Sequence, residues 1–470
     1  MAIEDKKMSS PALEETTPAI TESLAQGAAD LRFEDIDADS LAVAKQCLID
    51  WFAVTLAGSA EPLTALLLAE AAEEGGQPRA TLIGAGTKGT LAQACLVNGA
   101  GSHALDYDDV SKTMGGHPTA QVAAAVLAVA EDLGATGRDL LAAFVAGYET
   151  ECRIGDLVAP SHYQKGFHAT ATVGSFGAAA GVGHLLGLEG EAMARALGIA
   201  ATQAAGLKAQ FGTMCKPLHA GKAAGNGLLA ARLARRGFTS RPDILEASQG
   251  FADTQSDDFH DQHALQAPRR GFHVRENLFK YHAACYLTHS TIEILADLRD
   301  EGRIAPEQID SVVLSVDPGH FKVCNIQEPD TGLEVKFSLR HTAALALAGI
   351  DTAGIDSYSD ANARAPELVA LRRKVGIVDD GGPGTLATAR IILHDGQTLE
   401  RSFDVGVPTE DVAAQGLKID AKFRSLAVPL LGETVAAALL ADLQQLETLD
   451  DTGRLLAHVA AWQASGEGNG

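Results

Sequence analysis

LAVAKQCLIDWFAVTLAG, residues 41–58, sets apolar side chains at the spacing of a buried helix and stops at Gly58. Pro62 opens a second helix, LTALLLAEAAEEGG, which closes at Gly75 and Gly76. The same style, rich in Ala, Leu and Gly with few β-branched runs, continues through 90–104, 118–133, 137–150, 168–187, 190–206 and 222–236. Small residues let helices approach closely, so this part of the chain reads as a tightly packed all-α domain.

Around residue 240 the composition changes. DTQSDDFHDQHALQAPRRG (253–271) is polar and loop-like, and a helix follows over 283–299. IDSVVLSVD (309–317) alternates, with Val312, Leu314 and Val316 on one face of a strand. LATARIILHDGQTLERSFDVG (386–406) carries Asp395-Gly396 between two strand-like runs, a hairpin signal. Helical stretches at 335–349 and 365–375 lie between them, and helical character returns after Pro408 through 433–463. The expected fold is mostly α: a helical domain from 16–271 and 407–466, with a smaller α/β (α+β) domain at 272–406. Residues 1–15 are polar and read as disordered. No fixed repeat period supports a solenoid.

Of the 470 residues, 46% are apolar and 21% charged, as in an ordinary globular protein, and the formal net charge is −24. That charge argues against nucleic acid or an anionic membrane as partner, and an anionic substrate would need a local cationic pocket. The six cysteines form no CxxC pair and read as free thiols in a reducing compartment. Residues 1–30 lack the apolar core of a signal peptide, and no run of ~18 uncharged apolar residues marks a membrane span. The expectation is a cytoplasmic protein.

Chemistry concentrates in four stretches. HALDYDDVSKTMGGH (103–117) packs two histidines and three carboxylates between alanine-rich helices, where acids are rare unless paired or working. KGFHATATVG (165–174) places His168 before a long helix, whose N-terminus suits an anion. Taken alone, a histidine that merely caps its helix is the better reading there. GTMCKPLHAGKAAGNG (212–227) holds Lys216, with Pro217 and Gly221 read as a turn before helix 222–236. FKYHAACYLTH (279–289) holds Lys280 and Cys285. A lone lysine in apolar context is usually a snorkelling surface group; two beside clustered histidines weaken that reading.

Other classes remain in view. GAGTKG (84–89) matches GxGxxG, with Asp106 at about the distance of a ribose-binding acid, but TLAQACLVNGAGSHAL between them has no β character. A glycine turn into a helix explains it better than a nicotinamide site. His103, Asp106, Asp108, Asp109 and His117 could ligate a metal, which would make a metal-dependent hydrolase or lyase of the 103–117 stretch. Lysines in the neighbouring clusters compete with a bound cation. A non-catalytic helical interaction protein would instead carry its charge on exposed faces.

The set HALDYDD…GHPTA, GFHATATVGSFGAAA, KPLHAGKAAGNGLLAARLA and the K-x4-C segment resembles the MmgE/PrpD family, over about residues 20–460. The resemblance implies a large helical domain built from both chain ends, an α/β lid and a homodimer. It also implies activity without metal or organic cofactor. Family members include 2-methylcitrate dehydratase, cis-aconitate decarboxylase and iminodisuccinate epimerase, all acting on small di- or tricarboxylates. Asp106, His117, His168, Lys216, Lys280 and Cys285 match catalytic positions, and Lys216, Lys280, His219 and His341 are the implied substrate-binding set. In this resemblance Cys285 stands where animal cis-aconitate decarboxylases have histidine and the epimerase has cysteine, and His341 stands where those decarboxylases have tyrosine.

The implied chemistry is proton movement at a carbon next to a carboxylate, ending in dehydration, decarboxylation or epimerisation. Lys216 and Lys280 would hold substrate carboxylates, His117 or His168 would carry the proton, and Asp106 would orient one of them. Cys285 would serve as an acid on the opposite face.

Overall fold

The computed structural model describes residues 19–464, so the N-terminal stretch read as disordered lies outside the described residues, as does the end of the helical assignment at 466. The protein is mostly helical and has two separate apolar cores. The larger core joins helices from both chain ends, from Ile20 to Val459. The smaller one lies between Ile292 and Leu399 around a four-stranded sheet.

The helix Ala38–Gly58 begins at Asp37, whose carboxylate accepts the Ser40 N–H, and is buried almost continuously from Gln46 to Gly58. It packs on Val412–Gln444, which is interrupted at Gly432 where φ is 73°. Both are long and apolar enough to cross a membrane by length and composition, though 83% of the apolar window of the first is buried inside the protein. The sequence contains no equivalent uncharged run because Lys45 and Asp50 interrupt the first helix.

The remaining helices pack around Ala169–Leu185, against which Cys215–Arg235, Gly137–Val158 and Pro118–Leu133 lie. Glycine is required at one crossing that matters for function. Gly99 of Leu91–Ser102 meets Gly221 of Cys215–Arg235 so closely that a Cβ on Gly221 would overlap the Leu96 carbonyl. Gly221 is therefore a mid-helix contact and not part of a turn. Pro217 likewise sits inside the first turn, where its missing N–H costs no hydrogen bond, so the helix starts at Cys215 and carries Lys216.

Six short strands complete the structure of the described residues. β1 (Ala80–Leu82) and β2 (Thr87–Gly89) form an antiparallel hairpin, with GAGTKG running through its turn and into β2. Hairpin pairing is incompatible with the strand–helix–strand unit of a dinucleotide site. β3 (Ile309–Ser315), β4 (Val375–Val378), β5 (Leu386–Leu393) and β6 (Thr398–Asp404) stand in the order β4-β3-β5-β6, parallel only between β3 and β4. Val312, Leu314 and Val316 are all buried, and the Asp395-Gly396 turn joins β5 to β6. β4 falls at the end of a stretch read as helix; the helix Pro366–Arg372 stops short of it. The segment read as one helix over 283–299 is a 3₁₀ turn followed by His289–Asp300, and the loop 253–271 contains two single-turn helices. The helix Ile20–Asp30 was not anticipated from the sequence.

Candidate active site

The stretch 103–117 links two helices that the core holds rigidly. His103 follows Ser102 at the end of Leu91–Ser102, and His117 precedes Pro118 with extended backbone. The Gly99–Gly221 crossing brings the first turn of Cys215–Arg235, with Lys216, beside His103. The His117 N–H donates to Thr170 Oγ1 at 3.0 Å, which ties the stretch to the helix that His168 caps. Val110 and Leu278 exchange backbone hydrogen bonds at 2.7 and 2.9 Å, so the segment carrying Lys280 docks on the same stretch.

These elements surround a cavity of about 400 Å³ lined by Asp106, His117, His168, Lys216 and Lys280. Asp106 is its centre. Its backbone lies in the left-handed region (φ 50°), uncommon for a non-glycine residue and a feature of strained functional positions. Its carboxylate takes Lys216 Nζ at 2.8 Å and Lys280 Nζ at 3.0 Å, with His117 Nε2 at 3.5 Å. Burial works to raise the Asp106 pKa, but Lys280, Lys216 and His117 outweigh it and hold the group well below the usual carboxylate range. For Lys280 burial favours the neutral amine, while Asp106 and Asp108 more than restore the charge and raise its pKa.

The histidines form a connected wall. His117 Nδ1 donates to the Asp109 carbonyl at 2.8 Å; a carbonyl only accepts, so in the neutral ring Nε2 is left basic, facing Asp106. Asp108 receives His103 Nδ1 at 2.9 Å and lies 3.3 Å from His117 Nδ1. Burial pushes His103 down to about 4 despite Asp108, so it is neutral at pH 7. His168 is pushed to about 2, by burial and then by His103, His117, His219 and Lys216. Its Nδ1 lies 3.0 Å from His219 Nδ1, so one ring donates to the other and their tautomers are linked.

Of the residues singled out in the sequence, Asp106, His117, His168, Lys216 and Lys280 meet in the cavity. His219 stands behind His168 and touches it. Cys285 is half-buried on the smaller core, its N–H on the Lys336 carbonyl, while its neighbour Tyr286 lines the cavity. The Cys324 thiol hydrogen-bonds Cys285 and, against the effect of burial, lowers its pKa. His341 is fully buried, with Nε2 on the Asn362 carbonyl at 3.1 Å, and is absent from the cavity lining. Residues that the sequence reading passed over also line the cavity: Lys112, Tyr163, Phe211 and Tyr286. Lys112 stands inside the 103–117 stretch and could have been singled out by the same argument as the other lysines.

His103, Asp106, Asp108 and His117 offer ligand atoms within 4.8 Å of one another, so they are the residues that could hold a cation. A cation there would have to displace two ammonium groups from Asp106. Asp109 stands apart: its carboxyl accepts the Thr119 N–H and hydroxyl, and burial raises its pKa to about 7.

Comparison with known proteins identifies what the chain is similar to. Residues 22–263 match the MmgE/PrpD N-terminal domain and residues 282–446 the MmgE/PrpD C-terminal domain. The chain is 27% identical to a cis-aconitate decarboxylase of Aspergillus terreus, over 93% of this chain and 95% of that protein. It is 28% identical to the cis-aconitate decarboxylase of Mus musculus, over 76% of each. The Homo sapiens cis-aconitate decarboxylase is 27% identical over 76% of this chain and 77% of its own.

Proposed function

This chain belongs to the MmgE/PrpD family and is an enzyme of dehydratase or decarboxylase type, and from that premise we propose that it is a cofactor-independent lyase acting on a small tricarboxylic acid such as cis-aconitate. The observation that carries the reading is the convergence of Lys216 and Lys280 on Asp106, in a cavity also walled by His117 and His168. Two ammonium groups already holding a carboxylate are preorganised for substrate carboxylates and for the charge that develops when a neighbouring carbon loses CO₂ or a proton.

His117 is the proton carrier in this reading. Its Nδ1 is committed to the Asp109 carbonyl, so Nε2 accepts a proton, and Asp106 stabilises the resulting imidazolium. In the tautomer in which His219 Nδ1–H is the donor of this pair, neutral His168 keeps its proton on Nε2 and can donate a hydrogen bond to substrate. Decarboxylation releases CO₂ and leaves a carbanion that takes one proton from protonated His117. Dehydration needs a base to remove a proton and an acid to protonate the departing hydroxyl; His117 takes the proton and returns it to the hydroxyl as water leaves, while neutral His168 contributes a hydrogen bond. Epimerisation requires a base on one face and an acid on the other. Cys285 is not among the residues that line the cavity, although the charges of Lys280 and Asp106 reach its thiol, so this outcome has less support than the other two.

The test is proton NMR of EDTA-treated protein in D₂O with cis-aconitate, 2-methylcitrate and iminodisuccinate. Deuterium beside a carboxylate, with CO₂ or water released, supports the reading and names the reaction. Silence with EDTA, relieved by a divalent cation, would replace it with metal-dependent chemistry at His103, Asp106, Asp108 and His117. Silence in both arms sinks it.

A further inference from the structure

We propose that Lys112 is the specificity-determining cation of this cavity, the group that distinguishes a tricarboxylate from a dicarboxylate; the proposal rests on the carboxylic-acid reading above. Three lysines line the cavity, and they differ in what they touch. Lys216 and Lys280 share the Asp106 carboxylate, which offsets one of their two charges. The Lys112 ammonium instead donates to the Gly406 carbonyl at 2.5 Å, and among the described residues no carboxylate is paired with it. A carbonyl satisfies a hydrogen bond without neutralising the charge. Lys112 is thus the cavity lysine with uncompensated charge, and a carboxylate is the stronger partner for it.

The position of that charge is defined by the structure. Gly406 follows β6, and its N–H donates to Asp404 Oδ1 at 2.8 Å. The Val405 N–H donates to Ser290 Oγ at 3.1 Å, and the Val405 carbonyl accepts the Tyr286 hydroxyl at 2.8 Å. A Cβ at position 406 would meet both Thr385 Oγ1 and Lys112 Nζ, so Lys112 is packed closely on this backbone. Lys112 therefore reaches from the 103–117 stretch to the end of the sheet and holds its ammonium at the cavity wall. Two substrate carboxylates can engage Lys216 and Lys280; the third turns from solvent to Lys112.

Isothermal titration of the full chain with propane-1,2,3-tricarboxylate and with glutarate, which differ by one carboxylate, tests this. Neither acid is a substrate of the proposed reaction, so binding is read alone. Wild type is expected to prefer the tricarboxylate by ~10-fold or more, the scale of one charge-assisted hydrogen bond. Lys112→Met should abolish that preference by weakening the tricarboxylate alone, while Lys112→Arg retains part of it. Because the side chain is exposed, Lys112→Met should melt within about 3 °C of wild type. Equal weakening of both acids, or of neither, would overturn the proposal and leave the carboxylic-acid function standing. Wild type that binds neither acid would overturn both.

Discussion

The Lys280 ammonium donates to both the backbone carbonyl and the carboxylate of Asp106, at 2.5 and 3.0 Å, across 174 residues of sequence. One side chain thereby holds the left-handed backbone of Asp106 and places its charge. Because Asp106 competes with substrate carboxylates for the lysines, Asp106→Asn is expected to separate binding from turnover. Substrate should bind more tightly, or at least as well, while kcat falls ~100-fold with loss of the charge beside His117. Steady-state kinetics with a parallel Kd measurement checks this; a variant with raised Kd and unchanged kcat would contradict it.

Lys216→Ala and His168→Ala are expected to keep the fold and lose at least ~100-fold in turnover. Lys216 lies at the cavity edge with its ion pair open to it, and His168 caps its helix without a side-chain bond to that helix. Far-UV circular dichroism should match wild type. Near-normal turnover in either variant would remove that residue from the site.

Lys422 and Asp50 pair at 2.5 Å, at 1% and 2% side-chain exposure, and Lys422 also donates to the Tyr107 carbonyl at 2.8 Å. Burial favours the neutral form of each group, raising Asp50 to about 6 and lowering Lys422. Lys422→Met should therefore destabilise by about 3–5 kcal/mol, because it strands a buried carboxylate. Adding Asp50→Leu should recover much of that stability in urea unfolding. Turnover should stay reduced in the double variant, since the Tyr107 carbonyl next to Asp106 has lost its donor. Full recovery of both would show that Lys422 serves stability alone.

His341 is pushed down to about 4, by burial and then by Arg372, against about 6.5 in the unfolded chain. Below pH 6.5 the unfolded state binds the proton and the folded state does not, so this contribution to stability is full above pH 6.5 and is lost as pH falls toward 4. Replacing the ring by glutamine keeps a donor for the Asn362 carbonyl and removes the titration. His341→Gln should thus gain on the order of 1–2 kcal/mol relative to wild type between pH 7.5 and pH 5. Parallel stability curves for the two proteins would show that the ring is not buried neutral.

The helices most legible in the sequence were those whose ends carry their own signal. Pro62 and Gly75 bound one such helix, and the stretch 118–133 is the helix Pro118–Leu133. Where one residue has two uses, the local reading failed. Pro217 and Gly221 suggested a turn, yet the proline occupies a first helical turn and the glycine answers a helix from elsewhere in the chain. In the site, lysine and histidine beside apolar helices were legible because burying such groups is costly unless they are paired or used.

What the sequence by itself determined is the helical character, the sheet hairpin and the family, together with five of the groups that meet in the cavity. These depend on periodicity, turn chemistry and residue type, which are local properties. Only the tertiary structure decided that Asp106 is shared by Lys216 and Lys280, that His219 backs His168, and that His341 and Cys285 stand off the cavity lining. It also decided that Lys112 crosses to Gly406 without a carboxylate partner. The physical reason is that charge pairing acts over a few ångströms in space, and the fold brings Lys280 to Asp106 across 174 residues to make it.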